Sequence, residues 1–289
     1  MLRLHAERGP IVIKQAQEKF RVRETWLVDS RRNLLEAQFQ QIARDVLGEE
    51  HVPEVLDIDA ENHVFTMASA PLSAHNWKSM MLAGDVRPSL GKQCAQLLAR
   101  LQSILPSDPR LPVEIHDPTF FYQQRIEPYF EFTAKKHPDV APALTALAKV
   151  LVTQRGLVHG DYTPKNFLVN GDKLILLDFE VVHIGMREFD IASIVNHLTL
   201  KMVHLPAHRE ALRQTVEQFL EEWFFSISPP PGGWWLNCLG ALMLARVDGK
   251  SPVDYLTEDE KDRVRTAAKE LLCNEYNSLD EFYAKTFST

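Results

Sequence analysis

The spacing of hydrophobic positions changes along the chain, and each change predicts a different kind of element. Residues 2–15, LRLHAERGPIVIKQ, read as two strands around a Gly9-Pro10 turn, the second carrying the β-branched run Ile11, Val12, Ile13. In residues 33–47, Leu34, Leu35, Phe39, Ile42, Val46 and Leu47 recur at helical spacing and Gly48 ends the run. HVPEVLDIDAENHVFTMASA then predicts a hairpin of residues 55–59 and 63–67, joined by the polar turn 60–62. Hairpin, helix and hairpin make a small α+β unit of about 70 residues.

After Ala70-Pro71 the period becomes helical, with helices expected over residues 89–105, 119–137 and 141–154. Two short strands follow, 167–169 and 174–177, with Asn170-Gly171 as a tight-turn signal between them. Helices resume over 190–201, 207–225, 234–245 and 258–273, and PPPGG at 229–233 reads as a loop. The expected division is a sheet-rich unit of residues 1–70 and a larger, mainly helical unit of residues 71–289.

Composition adds limits. The chain has 289 residues, of which 45% are hydrophobic and 25% charged, enough for a substantial core. A net charge of -7 argues against nucleic-acid binding through a general basic surface, and mildly favours a cationic small substrate, although solubility explains it as well. Cys94, Cys238 and Cys273 lie far apart with no CxxC, which suggests neither a disulfide framework nor a zinc site. MLRLHAERGP lacks the basic start and apolar stretch of a signal peptide, and the longest apolar run, 234–245, is too short to span a bilayer. A cytoplasmic protein with no membrane partner is expected; the oligomeric state is left open.

The candidate chemistry is concentrated in GLVHGDYTPKNFLVNGDKLILLDFE, residues 156–180. If its two strands pair as a hairpin, the loops before the first and after the second open at the same end, so Asp161, Asn166 and Asp178 come within reach of one another. Asn166 and Asp178 are hard oxygen ligands suited to Mg²⁺ that also takes phosphate oxygens, which leaves Asp161 to accept a proton. That division of labour is the one phosphoryl transfer requires. Any single Asp here is as well explained by a turn or a cap. An Asn five residues after an Asp, with a second Asp beyond a hairpin, is not.

HGDYTPKN, with LLDFE after it, resembles the catalytic loop and metal-binding segment of the aminoglycoside phosphotransferase and choline kinase family, relatives of the protein kinases. The resemblance covers most of the chain and implies a bilobal protein-kinase-like α+β fold. By it, Asp161 is the catalytic base, Asn166 and Asp178 are metal ligands, His159 shapes the loop, and Glu180 stands where many relatives carry a second acidic residue near the metal. Lys165 meets phosphate or substrate, or is a solvated lysine. Asp190 in REFDIAS holds the loop backbone or caps its own helix. On the nucleotide side, Lys14 of IVIK is expected to hold the α- and β-phosphates of ATP and Glu36 to hold Lys14; Met67, Ala68 and Ala70 are expected to line the adenine slot.

A kinase small lobe needs about 25 residues for a strand, a glycine-containing loop and a second strand before its lysine, and thirteen precede Lys14. The first strand and phosphate-covering loop are therefore expected to be lacking, either because Met1 is an internal start, the favoured reading, or because the loop has been dispensed with. Weaker nucleotide binding would follow. The expected function is ATP- and Mg²⁺-dependent transfer of a phosphoryl group to the hydroxyl of a small molecule. A catalytically weak kinase-like nucleotide- or partner-binding protein is the alternative. A protein kinase fits less well, because Gly160 replaces the Arg of the loop and no A-P-E segment follows. Residues 106–155 and 187–289 are where the acceptor would be decided, and WWLNCLGALMLARVDGKSPVDYL at 234–256 is the most distinctive stretch there: Trp234, Trp235 and Leu242 are expected in the core, and Arg246, Asp248 and Lys250 at a helix end are candidates to bind a substrate, though a capped, salt-bridged helix terminus explains them too.

Overall fold

A four-stranded antiparallel sheet opens the computed structural model, with strand order β1 (Leu2–Ala6), β2 (Gly9–Gln15), β4 (Val64–Ala68), β3 (Val55–Asp59). The structure describes residues 2–6 (backbone only), 9–17, 26–153, 155–227, 234–276 and 278–287. The PPPGG loop expected at 229–233 lies outside them.

Gly9 and Pro10 are not the turn of the first hairpin. They pair with Ala6 and His5 as the opening residues of β2, a place where proline's lack of an N–H costs little. The Pro10 carbonyl accepts from Ser69 N (3.0 Å). Helix α1 (Arg32–Leu47) packs on the sheet through Ala37, against Phe65 and Met67, and turns Phe39 the other way onto Phe179 (ring centroids 5.6 Å). Phe39 and Phe179 are both fully buried, so α1 is wedged between the sheet and the segment that carries Asp178.

The remainder is mainly helical. β5 (His75–Asn76), α2 (Trp77–Leu82) and α3 (Ser89–Gln102) lead into a helical run of three parts: α4 (Thr119–Phe121), a π-helix (Tyr122–Glu131) and α5 (Phe132–Lys136). An ordinary helix was expected over this run. Pro128 explains the widening, since it has no N–H to give and its ring would clash with the carbonyl one turn back. The carbonyls of Gln123 and Gln124, one turn before it, are taken by the Trp26 indole N–H (2.8 Å) and by Arg125 Nη1 (2.7 Å).

Helix α6 (Ala141–Leu151) precedes the strand pair β6 (Gly156–Val158) and β9 (His183–Gly185), which brackets the hairpin β7 (Phe167–Asn170) and β8 (Lys173–Leu176). Asn170 pairs with Lys173, so the tight turn is Gly171-Asp172, with Gly171 at φ 64°. Asn170-Gly171 was one residue early. β5 joins β7 edge to edge. Then come α7 (Glu188–His204), α8 (Arg209–Ser226), α9 (Trp234–Asp248), α10 (Glu258–Cys273) and α11 (Leu279–Phe287). α7 is buried nearly throughout and forms the axis of the core. Among the described residues no helix is long and apolar enough to cross a membrane.

His183 in β9 shows what burial does to a titratable ring in this core. It stacks on Phe121 (centroids 4.0 Å), donates through Nδ1 to the Val181 carbonyl (3.0 Å), and is pushed down to about 4 by desolvation. The folded protein therefore holds it neutral where the unfolded chain would protonate it, so stability from this ring is complete above about pH 6.5 and is lost as pH falls toward 4. Relative to His183→Gln, the native protein should lose about 3 kcal/mol between those pH values, read from urea unfolding at each pH. Parallel pH curves would show that the ring is not held neutral.

Candidate active site

The loop between β6 and β7 is shaped by backbone bonds. Gly160 has φ 78°, and a Cβ there would fall 2.5 Å from the Val181 carbonyl oxygen, so the position admits glycine and not the arginine of the protein-kinase pattern. Asp190 lies in the first turn of α7, just inside the helix, and is not its N-cap. One of its carboxylate oxygens accepts from His159 N (2.8 Å) and from the Gln102 amide (3.3 Å), the other from Gly160 N (2.9 Å). Burial pushes Asp190 up to about 7 while those donors pull it back. All three neighbours are donors, so the ionised form is the one the loop is built around. Tyr162 ties the loop to α3 through its hydroxyl, which donates to the Cys94 carbonyl (2.7 Å).

Asp161, held by this frame, is buried and surrounded by cations. Its Oδ1 meets Arg125 Nη2 (2.9 Å), and its Oδ2 meets Lys165 Nζ (2.8 Å) and the Asn166 amide (2.9 Å). Burial alone would raise its pKa, but Arg125 and Lys165 hold the carboxyl far below the usual carboxylate range. Asn166 also donates to the Asp161 carbonyl (2.8 Å). Its amide nitrogen is thus committed to Asp161, which leaves its side-chain oxygen as the atom a metal could take.

On the other wall, Lys14 of β2 reaches Glu36 of α1 (2.7 Å) and Asp178, beyond β8, at 2.5 Å. Burial works to lower Lys14, and the carboxylates of Asp178, Glu36 and Glu180 outweigh it. Burial and the neighbouring carboxylates push Glu36 up, while Asp178, for all its burial, is held low by Lys14 and Lys165. Asp178 also sits at φ 70°, an uncommon conformation for a residue with a side chain. Glu36, Asp178 and Glu180 each offer an oxygen within 4.8 Å of the others. Carboxylate oxygens so gathered are the hard donors a divalent cation takes. Asp178 and Glu180 are partly exposed, and Glu36 is buried beside Lys14.

Glu180, anticipated beside a metal, also receives Arg32 Nε (3.0 Å). Met67 lies between sheet and helix, where its sulfur takes a hydrogen bond from the Gln40 amide (3.5 Å). Ala68 and Ala70 are half-buried at the exit of β4, and Ala68 N is used on the Glu54 carbonyl (2.8 Å). Sequence reasoning missed Arg125 and Arg32. The signal for Arg125 was QQR inside FFYQQRIEPYF, three polar residues in an apolar helical run that contains a proline.

A sequence profile of the phosphotransferase enzyme family (APH) matches residues 12–223, most of the chain. The protein belongs to this family. No curated protein gives a significant sequence match. Among solved structures, the amicoumacin kinase hAmiN in complex with AMP-PNP, Ca²⁺ and Ami is similar with a TM-score of 0.54 and 15% identity, over 93% of this chain and 84% of that one. An aminoglycoside phosphotransferase from Alicyclobacillus acidocaldarius subsp. acidocaldarius also gives 0.54, at 11% identity over 99% and 89% of the two chains. The aminoglycoside-3'-phosphotransferase of type VIII gives 0.52, at 17% identity over 84% and 87%. At such identities the likeness is one of fold: the α+β, protein-kinase-like architecture expected from the sequence. Membership of this family makes the protein a phosphotransferase.

Replacing Asp190 by Asn would turn an amide NH₂ toward a backbone N–H and leave a buried donor unmet. Asp190→Asn should lower unfolding free energy by about 2–3 kcal/mol, the cost of losing hydrogen bonds to a buried charge. It should also speed hydrogen exchange at His159 and Gly160; unchanged exchange at those two amides would contradict the anchoring role.

Proposed function

We propose that the chain transfers the γ-phosphoryl group of Mg-ATP to a hydroxyl of a small molecule, with residues 1–70 binding nucleotide and residues 71–289 supplying the catalytic loop and acceptor site. The observation that carries this is the meeting of Lys14, Glu36 and Asp178 at 2.7 and 2.5 Å. These residues stand on a strand, a helix and a post-hairpin segment as much as 164 positions apart, and they lie in the same cleft as a carboxylate ringed by cations.

In this reading Lys14, fixed by Glu36, binds the α- and β-phosphates and releases Asp178 as it does so. A Mg²⁺ ion held by Asn166 and Asp178, with Glu180 nearby, would neutralise phosphate charge. Asp161 receives the hydrogen bond of the acceptor hydroxyl and orients its oxygen at the γ-phosphorus. As the new P–O bond forms, the bond to the bridging oxygen breaks, ADP leaves, and the hydroxyl proton passes to Asp161. The low pKa of Asp161 suits this role, because a loose transition state needs the hydroxyl aimed more than it needs early deprotonation. Lys165, half exposed beside Asp161, is placed to follow the transferred phosphate. Ala68 and Ala70 flank the adenine edge.

Asp161→Asn should lower turnover by about 10²–10⁴-fold with little change in nucleotide affinity. Lys14→Met should weaken nucleotide binding as well. Both are read from Mg-ATP-dependent phosphorylation of a hydroxyl-compound panel and from calorimetric titration with AMP-PNP. Full turnover by Asp161→Asn would overturn the assignment.

A further inference from the structure

Beyond Asp161, on the helical side, several positive charges collect, and two of them, Arg246 and Lys201, have no carboxylate partner among the described residues. Arg125, bound to Asp161, lies over the Tyr129 ring (5.3 Å to the centroid), and Arg246 of α9 shares that ring (5.7 Å) while donating to the Tyr129 hydroxyl (3.1 Å) and to Ser251 Oγ (3.0 Å). The Nε of Arg246 is buried with no hydrogen-bond partner among the described residues, and the same holds for the Tyr255 hydroxyl. Two ammonium groups share the Tyr255 ring: Lys201 of α7 at 5.5 Å and Lys78 at 5.6 Å. Lys201 is fully buried, and its Nζ donates to the His197 carbonyl (3.1 Å).

The neighbouring carboxylates are already engaged. Glu127 pairs with Lys250, Asp254 with Lys78, Asp248 with Arg265 and His137, and Glu260 with His204. Among the described residues, neither Arg246 nor Lys201 forms an ion pair. A buried cation without a counter-charge is costly, and the cost is visible in Lys201, which burial and then Lys78 and Arg246 push down to about 7. Arg246, with its buried Nε unmet, is left without an anion.

We propose that the acceptor supplies it: an alcohol bearing a carboxylate or phosphate group, which Arg246 binds with Lys78 and Lys201 behind it while the hydroxyl rests on Asp161. This rests on the phosphotransferase reading above. It also turns the substrate class away from aminoglycosides, whose several ammonium groups would meet Arg125, Lys165, Arg246 and Lys78 at close range. Arg246 suits the task, since a guanidinium fork grips either anion in two places.

The test uses the native enzyme with Mg-ATP and matched acceptors: hydroxycarboxylates, sugar phosphates, their neutral analogues, and aminoglycosides. Transfer to an anionic member should exceed transfer to its neutral analogue by about tenfold or more in kcat/KM, the effect of one charge-assisted contact. Arg246→Gln should abolish that preference, lowering transfer to the anionic member about tenfold more than transfer to its neutral analogue; a preference that survives the substitution overturns the assignment. The arms separate a carboxylate from a phosphate. Preference for a neutral or cationic acceptor overturns the proposal and leaves phosphotransfer standing. So does calorimetry, run in the presence of Mg-AMP-PNP, that finds no anionic member bound. An enzyme that neither binds nor consumes Mg-ATP overturns both readings.

Discussion

One buried carboxylate sets the geometry on which the site depends. Asp190, with no solvent exposure, spends its charge on two consecutive backbone amides, those of His159 and Gly160. Such a charge is tolerable in a protein interior only when donors surround it, and the nearest donors are the backbone of the loop itself. The loop therefore cannot relax away without stranding the charge. Gly160 is forced into a left-handed conformation, and its carbonyl is gripped by Arg125 Nε (2.8 Å). The same guanidinium then reaches Asp161. A structural anion thus fixes the loop, and the loop presents a second anion to the cleft.

The sign of the field changes across that cleft. On the sheet side a single ammonium, Lys14, is crowded by Asp178, Glu36 and Glu180. On the helical side Asp161 is crowded by Arg125 and Lys165, with Arg246, Lys78 and Lys201 beyond. On the proposed reading each side receives the opposite charge. Excess carboxylate near Lys14 suits a cation accompanied by phosphates, and excess ammonium and guanidinium beyond Asp161 suits an anion. The net charge of the whole chain, which hinted faintly at a cationic substrate, does not report this local reversal.

Much of the site could be read from sequence because its pieces are close in the chain. Asp161, Asn166 and Asp178 are separated by one loop and one hairpin, and the antiparallel pairing of the hairpin makes its flanking loops open together. The helices near 33–47, 89–105 and 258–273 were visible for the same local reason, their apolar stripes. Arg125 was not visible, because its role depends on a π-helix caused by Pro128 and on contacts with a loop 35 positions away. Arg32 reaches Glu180 across 148 positions with no pattern to announce it. Gly9-Pro10 misled because the same pair that favours a turn can also open a strand, and only the register with β1 decides between them. Asp190 offered two readings, a cap or a clamp, and only the positions of the amides around it separate them.

The central claim is that side chains from the sheet and from the helical part converge on one Mg-nucleotide. It is tested most directly by the Mg²⁺ dependence of nucleotide affinity, measured by calorimetric titration of AMP-PNP into the native protein and into Asp178→Asn, with and without the ion. The native protein should bind the nucleotide more tightly when Mg²⁺ is present, and Asp178→Asn should lose that gain. Equal affinity with and without Mg²⁺ in the native protein, or a gain that survives in Asp178→Asn, would contradict it.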